Sequence, residues 1–199
     1  MDFRLTEKQE LFKKQARVFA EREILPHWPR LQKKEFPWDI FNKLAEAGYS
    51  GAIIDEKYGG AGLGMLDFFI ITEELCRADG GVGLSIGASQ SLYAKPLQIY
   101  GNDEQKETLL PRIATGRDLA AYCQTETDTG SDVSAIKTGG KIDWNAKTVT
   151  FSGTKQFITN GSIARQLMVL IRTGEDKYAG LTWVLVDAEK AKGDGTLII

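Results

Sequence analysis

Apolar residues keep helical spacing as far as about residue 118 and then fall into short β-type runs, which argues for segregated helical and β parts over a doubly wound sheet. Thr6-Glu7-Lys8-Gln9 is a capping box, and behind it Leu11, Phe12, Ala16, Phe19 and Ala20 recur on one face until Pro26, which predicts an amphipathic helix. A shorter helix is predicted from about Trp38 through Phe41, Leu44 and Ala45, with Gly48 as the left-handed residue past its end. Met65 to Ala78 carries Phe68, Phe69, Ile70, Ile71 and Leu75 with almost no polar face before Glu73, Glu74 and Arg77, the pattern of a helix buried on most sides. The run at 80–91 is rich in Gly, Ala and Ser and reads as a helix that permits close backbone approach. Asn102-Asp103-Glu104-Gln105 is a second capping box, opening a helix that ends between Pro111 and Gly116.

Residues 119–123, 148–151, 166–171 and 181–186 read as strands separated by Gly, Asn and Asp turns, with 142–145 as a hairpin arm. The fold class is therefore α+β, an all-α N-terminal domain over 1–117 followed by a β-barrel or sandwich domain over 118–199. Thr196-Leu197-Ile198-Ile199 begins one more apolar strand and stops, which would leave an unpaired edge, so the chain reads as cut short. Two segments of this half stand out, YCQTETDTGSD at 122–132 and KQFITNG at 155–161. Both set small hydroxyl residues and glycine beside an apolar strand, an arrangement suited to backbone-lined binding of a flat polar ligand, and they are expected to form one site.

Composition removes several classes of function. Lys and Arg number 25 against 27 Asp and Glu, for a net charge of -2, and the two signs are interspersed, so there is no field to gather nucleic acid or anionic lipid. No window approaches the roughly 20 apolar residues of a membrane span, and Met1-Asp2-Phe3-Arg4 opens no signal core. Cys76 and Cys123 lie far apart and His27 is the one imidazole, which supports neither a disulfide framework nor a zinc site and fits a reducing, cytoplasmic setting. His27, beside Pro26 and Pro29, reads as a solvated loop residue.

The glycine run Tyr58-Gly59-Gly60-Ala61-Gly62-Leu63-Gly64 invites comparison with a dinucleotide loop, but Met65 stands where the third glycine of that spacing belongs and no acidic residue closes a following βαβ unit. It reads as a loop joining helices. On residue type alone, Gly130-Ser131-Asp132 is a surface turn, and Thr125 and Thr159 are strand threonines favoured for their β-branching. Tyr122 and Phe157 read equally as core aromatics of the β domain or as ligand-facing rings, Cys123 as a small buried apolar side chain, and Glu126 as a local cap or ion-pair partner.

Taken together, Leu5-Thr6-Glu7-Lys8-Gln9, Tyr58-Gly59-Gly60-Ala61-Gly62, Tyr100-Gly101-Asn102-Asp103-Glu104-Gln105-Lys106, Leu110-Pro111, Thr125-Glu126-Thr127-Asp128-Thr129-Gly130-Ser131-Asp132 and Gly153-Thr154-Lys155-Gln156-Phe157-Ile158-Thr159-Asn160-Gly161 closely resemble the acyl-CoA dehydrogenase family. The resemblance implies a helical domain, a middle β-barrel domain and a C-terminal helical bundle that this sequence lacks. It implies FAD as cofactor, an acyl-CoA thioester as substrate oxidised to the 2,3-enoyl-CoA, an electron-transferring flavoprotein as acceptor, and a homo-oligomer at full length. Carried over by motif, Tyr122, Gln124 and Thr125 face the isoalloxazine ring, Gly130 and Ser131 approach the diphosphate, and Phe157, Ile158 and Thr159 form a strand beside the ring edge with the Thr159 hydroxyl as a donor. Ser131 is also implied to touch the pantetheine arm of the substrate.

Two departures bear on this. Thr127 and Asp128 replace the family's Pro and small residue, and Phe157 stands where a Trp is common. The family's catalytic glutamate falls in the absent C-terminal part, so no catalytic residue is assigned, and the 199 residues alone are expected to hold flavin weakly and not to turn over. Two other readings keep the same sequence features: a flavoprotein of this fold with oxidase or monooxygenase chemistry, and a non-catalytic acyl-CoA-binding module.

Overall fold

The computed structural model describes residues 4–33 and 35–197. Its contacts divide into two compact units, Met1–Asp118 and Leu119–Ile199, the first all-α and the second built on a sheet, which is the α+β segregation that the change of period predicts.

In the first unit, α1 (Glu7–Glu23) opens on the expected capping box, with Thr6 Oγ1 accepting the Gln9 N–H at 3.2 Å and Gln9 Oε1 accepting the Thr6 N–H at 3.0 Å. Its buried stripe begins only at Ala16 and continues through Phe19 and Ala20. Leu11, expected on that face, is half exposed, because the first turns meet their neighbour through a polar contact, Gln9 Nε2 donating to Asp67 at 2.9 Å. After a 3-10 turn at Leu25–His27 come α2 (Trp28–Leu31) and α3 (Trp38–Glu46), and Gly48 takes the left-handed conformation past the end of α3 at φ 79°.

α4 (Met65–Ala78) packs against α1 and buries Phe68, Ile70, Ile71 and Leu75. It is not covered on most sides, however. Leu66 and Phe69 are more than half exposed, while Glu74, assigned to the polar side, is 2 % exposed. Its carboxylate is satisfied by a two-pronged pair from Arg17 at 2.8 and 2.9 Å, which makes burial of the charge tolerable. The next helix, α5 (Gly80–Gly87), lets Gly83 approach so closely that a Cβ there would lie 2.2 Å from Cys76 Sγ. The chain then widens into a π-helix at Ala88–Ala94 before α6 (Lys95–Tyr100), where a regular helix was expected. Buried Gln90 in the π turn donates to Tyr49 O at 2.6 Å and accepts from Ile53 N at 3.2 Å, tying the helix to the segment ahead of the glycine run. α7 (Asp103–Ala114) starts on the Asn102–Gln105 capping box and runs through Pro111.

The second unit is one mixed sheet. β1 (Ala120–Cys123), β2 (Gly139–Asp143), β3 (Thr148–Ser152), β4 (Gln166–Arg172) and β5 (Leu181–Asp187) are ordered β1-β4-β2-β3, with β5 also on β4. β4 is central and almost wholly buried, the near-continuous apolar pattern of a strand covered on both faces. β5 pairs antiparallel along its length, while β1 pairs in parallel with Gln166 to Val169 and β2 joins only at Arg172. The expected final strand at 196–199 is not present in the described part. Instead α8 (Ala188–Gly193) follows β5, and the amides of Thr196 and Leu197 fold back onto Ala191 O; Ile198 and Ile199 lie outside the described residues. Among the described residues no helix is long and apolar enough to cross a membrane, and no group of three His, Cys, Asp or Glu is placed to hold a metal ion.

Candidate functional site

β1 delivers Tyr122 and, just past its end, Gln124 and Thr125. Tyr122 is half-buried, its ring 4.5 Å from that of Trp183 at 36°, and its hydroxyl donates to Gln124 Oε1 at 2.8 Å, which sets the Gln124 side chain. Residues 124–126 are fastened one by one to the second motif. Lys155 Nζ donates to Gln124 O at 3.0 Å, the Gln156 N–H donates to Thr125 O at 2.8 Å, and Lys155 Nζ pairs with Glu126 Oε1 at 2.8 Å. Residues 124–126 and 155–156 therefore run side by side, which brings Thr125 within one residue of Phe157.

Glu126 anchors the loop that follows. Its carboxylate also accepts the Lys137 N–H at 2.8 Å and the Thr138 N–H at 2.9 Å. Burial acts to raise its pKa, but the Lys155 ammonium and these two N–H groups outweigh it and hold the carboxyl down to about 2. Its main chain exchanges hydrogen bonds with Thr129 at 2.9 and 3.2 Å, closing a tight turn with Thr127 and Asp128 at the exposed tip. The departure from the family's Pro at 127 is thereby accommodated, since this turn is closed by main-chain bonds and braced by Asp128 against Lys137 at 2.8 Å. Farther along, Arg172 clasps the loop by donating to Ser134 O at 2.8 Å and Ile136 O at 3.1 Å.

Gly130 and Ser131 lie exposed beyond the turn. A Cβ at Gly130 would meet nothing within 4 Å, so packing within the chain does not demand a glycine there. No hydrogen bond among the described residues ties these two to 155–159, in contrast to Thr125, whose carbonyl accepts the Gln156 N–H.

The segment expected as a strand at 157–159 is irregular instead. Phe157 and Asn160 sit in the left-handed region at φ 57° and 65°, conformations that cannot continue a ladder. Asn160 Nδ2 donates to Ala120 O at 3.0 Å and Asn160 O accepts from the Ile163 and Ala164 amides, which nails the turn to the start of β1. Ile158 packs against the core of the β unit beside Leu167 and Val169, so its main chain and not its side chain remains for a ligand. Thr159 is half-buried. Phe157 is 86 % exposed although its backbone conformation costs about 1–2 kcal/mol, so it is not a core aromatic of the β unit. Tyr122, by contrast, serves the packing of the β unit through Trp183. Cys123 is buried and unpaired, and burial pushes its thiol up to about 11.

The profile of the acyl-CoA dehydrogenase N-terminal domain matches residues 6–117, and that of the acyl-CoA dehydrogenase middle domain matches residues 121–196. A probable acyl-CoA dehydrogenase, YngJ, of Bacillus subtilis is 38% identical over 178 residues, which is 89% of this chain and 46% of the relative. Butyryl-CoA dehydrogenase from Megasphaera elsdenii superposes with a TM-score of 0.85 at 33% identity, over 94% of this chain and 50% of that one. An acyl-CoA dehydrogenase of Bacillus anthracis, solved in complex with FAD, superposes with a TM-score of 0.84 at 31% identity, over 93% and 31% respectively. The chain thus spans about half the length of the curated relatives it matches.

Proposed function

The chain belongs to the acyl-CoA dehydrogenase family, and from that premise we propose that it forms the flavin-facing part of a FAD-dependent enzyme that oxidises an acyl-CoA thioester to the 2,3-enoyl-CoA. The observation that carries this reading is the hydrogen-bonded pairing of 124–126 with 155–156, which sets two stretches of polar main chain beside the exposed ring of Phe157. These residues fit the cofactor's chemistry: a flat heterocycle asks for a ring face and edge donors, and an anionic arm asks for an unobstructed glycine turn. When bound, FAD supplies the hydride acceptor at N5.

The chain's own residues would position it. Gln124 and Thr125 would hold the polar edge of the ring, with Tyr122 fixing Gln124 from behind. Gly130 and Ser131 would offer their amides to the diphosphate, and Ser131 would also meet the pantetheine arm. Phe157 would cover the ring face, while the Ile158 main chain and the Thr159 hydroxyl would meet its edge. No acid of the described residues is assigned as the base that removes the α-proton, which the family supplies from its C-terminal part. Glu126, the one buried in this site, is already engaged by three donors, and with a carboxyl held near 2 it is a weak base. An electron-transferring flavoprotein as acceptor, a homo-oligomeric assembly and a cytoplasmic setting complete the proposal.

Titrating the purified protein with FAD and then adding a panel of acyl-CoA thioesters under anaerobic conditions tests this reading. Saturable flavin binding is the first expected outcome. Bleaching of the flavin by a thioester, once the family's C-terminal domain is supplied, is the second. Binding without bleaching by any thioester would favour oxidase or monooxygenase chemistry, and absence of flavin binding would sink the assignment.

Phe157 gives a second test. Asn enters the left-handed region at lower cost than Phe, and little apolar surface is lost at so exposed a position. Phe157→Asn is expected to raise stability by up to about 1 kcal/mol in urea unfolding while weakening FAD binding. A variant that is less stable and binds flavin normally would contradict the role given to this ring.

A further inference from the structure

We infer that Lys155 and Glu126 are positioning residues for the flavin-facing edge, clamping 124–126 against 156–159 so that Gln124, Thr125 and Thr159 present their polar groups at one set spacing. The inference rests on the flavin reading above and extends it to two side chains that are given no contact with the ligand. One ammonium bridges both neighbours of Thr125, bonding Gln124 O at 3.0 Å and Glu126 Oε1 at 2.8 Å, while the adjacent Gln156 amide takes Thr125 O at 2.8 Å. Three consecutive residues are thus each fastened to 155 or 156. The far side of the clamp is equally closed, since the Glu126 carboxylate is held by the Lys137 and Thr138 amides.

The two side chains are only 10% and 7% exposed. A desolvated, fully bonded pair tolerates few geometries, so besides contributing stability it fixes the register of the two segments. Phe157 follows two residues after Lys155, and its left-handed backbone turns the ring outward from this clamped base.

The test compares Lys155→Met and Glu126→Gln with the charge-keeping Lys155→Arg, in two readouts. The first is the FAD dissociation constant by fluorescence titration. The second is the set of backbone amide NMR signals of Thr125, Phe157 and Thr159 in the flavin-free protein. Removing the clamp is expected to weaken FAD by roughly 10–100-fold, the range found when an outer residue orienting a binding group is lost. It should also shift the amides at 125 and 157–159 while leaving those of β5 in place, and Lys155→Arg should recover most of the affinity. Wild-type affinity and unmoved amides in both clamp variants would overturn the inference. So would displaced signals throughout the β unit with no recovery by Lys155→Arg, which would mark a purely structural pair. A wild-type protein that takes up no FAD overturns the flavin reading and the ligand assigned to the clamp, and the amide signals then report on the clamped spacing by themselves.

Discussion

Substituting Gly60 by Ala is expected to destabilise the helical unit by about 3 kcal/mol or more, the upper range for overpacking a tightly fitted site. A Cβ at this position would lie 2.0 Å from Ile54 O, 2.5 Å from Ile54 C and 2.6 Å from Gly51 O. All three are main-chain atoms, so no side-chain rotation relieves the clash. The loop would have to lift, and with it would go the bonds Ala61 N–H to Gly51 O at 2.9 Å, Gly62 N–H to Ile54 O at 2.8 Å and Leu63 N–H to Ala52 O at 2.8 Å. Gly80→Ala provides the control, because nothing lies within 4 Å of a Cβ in that first helical residue and Ala is the better helix former. That change should be neutral or stabilising by up to about 1 kcal/mol. Urea unfolding of both variants decides the matter, and a Gly60→Ala cost below 1 kcal/mol would show that the loop is not packed as described. The same bonds occupy the amides at 61–63 within the chain.

That loop shows which features a sequence reveals. The failed dinucleotide spacing ruled out one function, but the close approach of Gly60 to Ile54 is a contact made by folding and leaves no local signature. The two capping boxes were legible because Thr6 with Gln9, and Asn102 with Gln105, close within three residues. β4 was legible as a strand from its apolar run, whereas its parallel pairing with β1 joins segments that no turn connects. Glu74 was misplaced because its partner Arg17 lies on another helix, and helical period alone assigns a carboxylate to solvent. In the candidate site, the motifs placed Thr125 and Phe157 in one region through family resemblance. They could not show that 157–159 leaves the β conformation, because an aromatic residue in the left-handed region is held there only by tertiary context. Lys155 stood inside a quoted motif, yet its role depends on a carboxylate 29 positions away. The sequence reading assigned nothing to the residues of α8, where Asp187 caps the amides of Glu189 and Lys190 and starts a helix.

Acid titration of the β unit is expected to show a loss of stability that disappears in Glu126→Gln. The Glu126 carboxyl is held at about 2 in the folded protein against an ordinary value of 4.5. A depressed pKa contributes stability that is complete above the ordinary value and is lost as pH falls from there toward the folded one, so the window runs from about 4.5 down to 2. The size of the increment is on the order of 3 kcal/mol. The groups facing this carboxylate are Lys155, which supplies the charge, and the main-chain amides of Lys137 and Thr138; the Lys137 ammonium is engaged by Asp128. Other carboxylates, among them Asp132 and Asp176, are also held below their ordinary values, so the wild-type curve alone does not isolate Glu126. The informative quantity is the stability difference between wild type and Glu126→Gln, which should be largest near neutral pH and shrink steadily below pH 4.5. Lys155→Met should cost about 3–5 kcal/mol at neutral pH, since it leaves a buried charge without its cation, and combining it with Glu126→Leu should recover much of that. A wild-type minus Glu126→Gln difference that stays flat between pH 7 and 3 would mean the pair is not formed as described. Recovery of stability in the double variant without recovery of flavin affinity would separate the clamp's positional role from its energetic one.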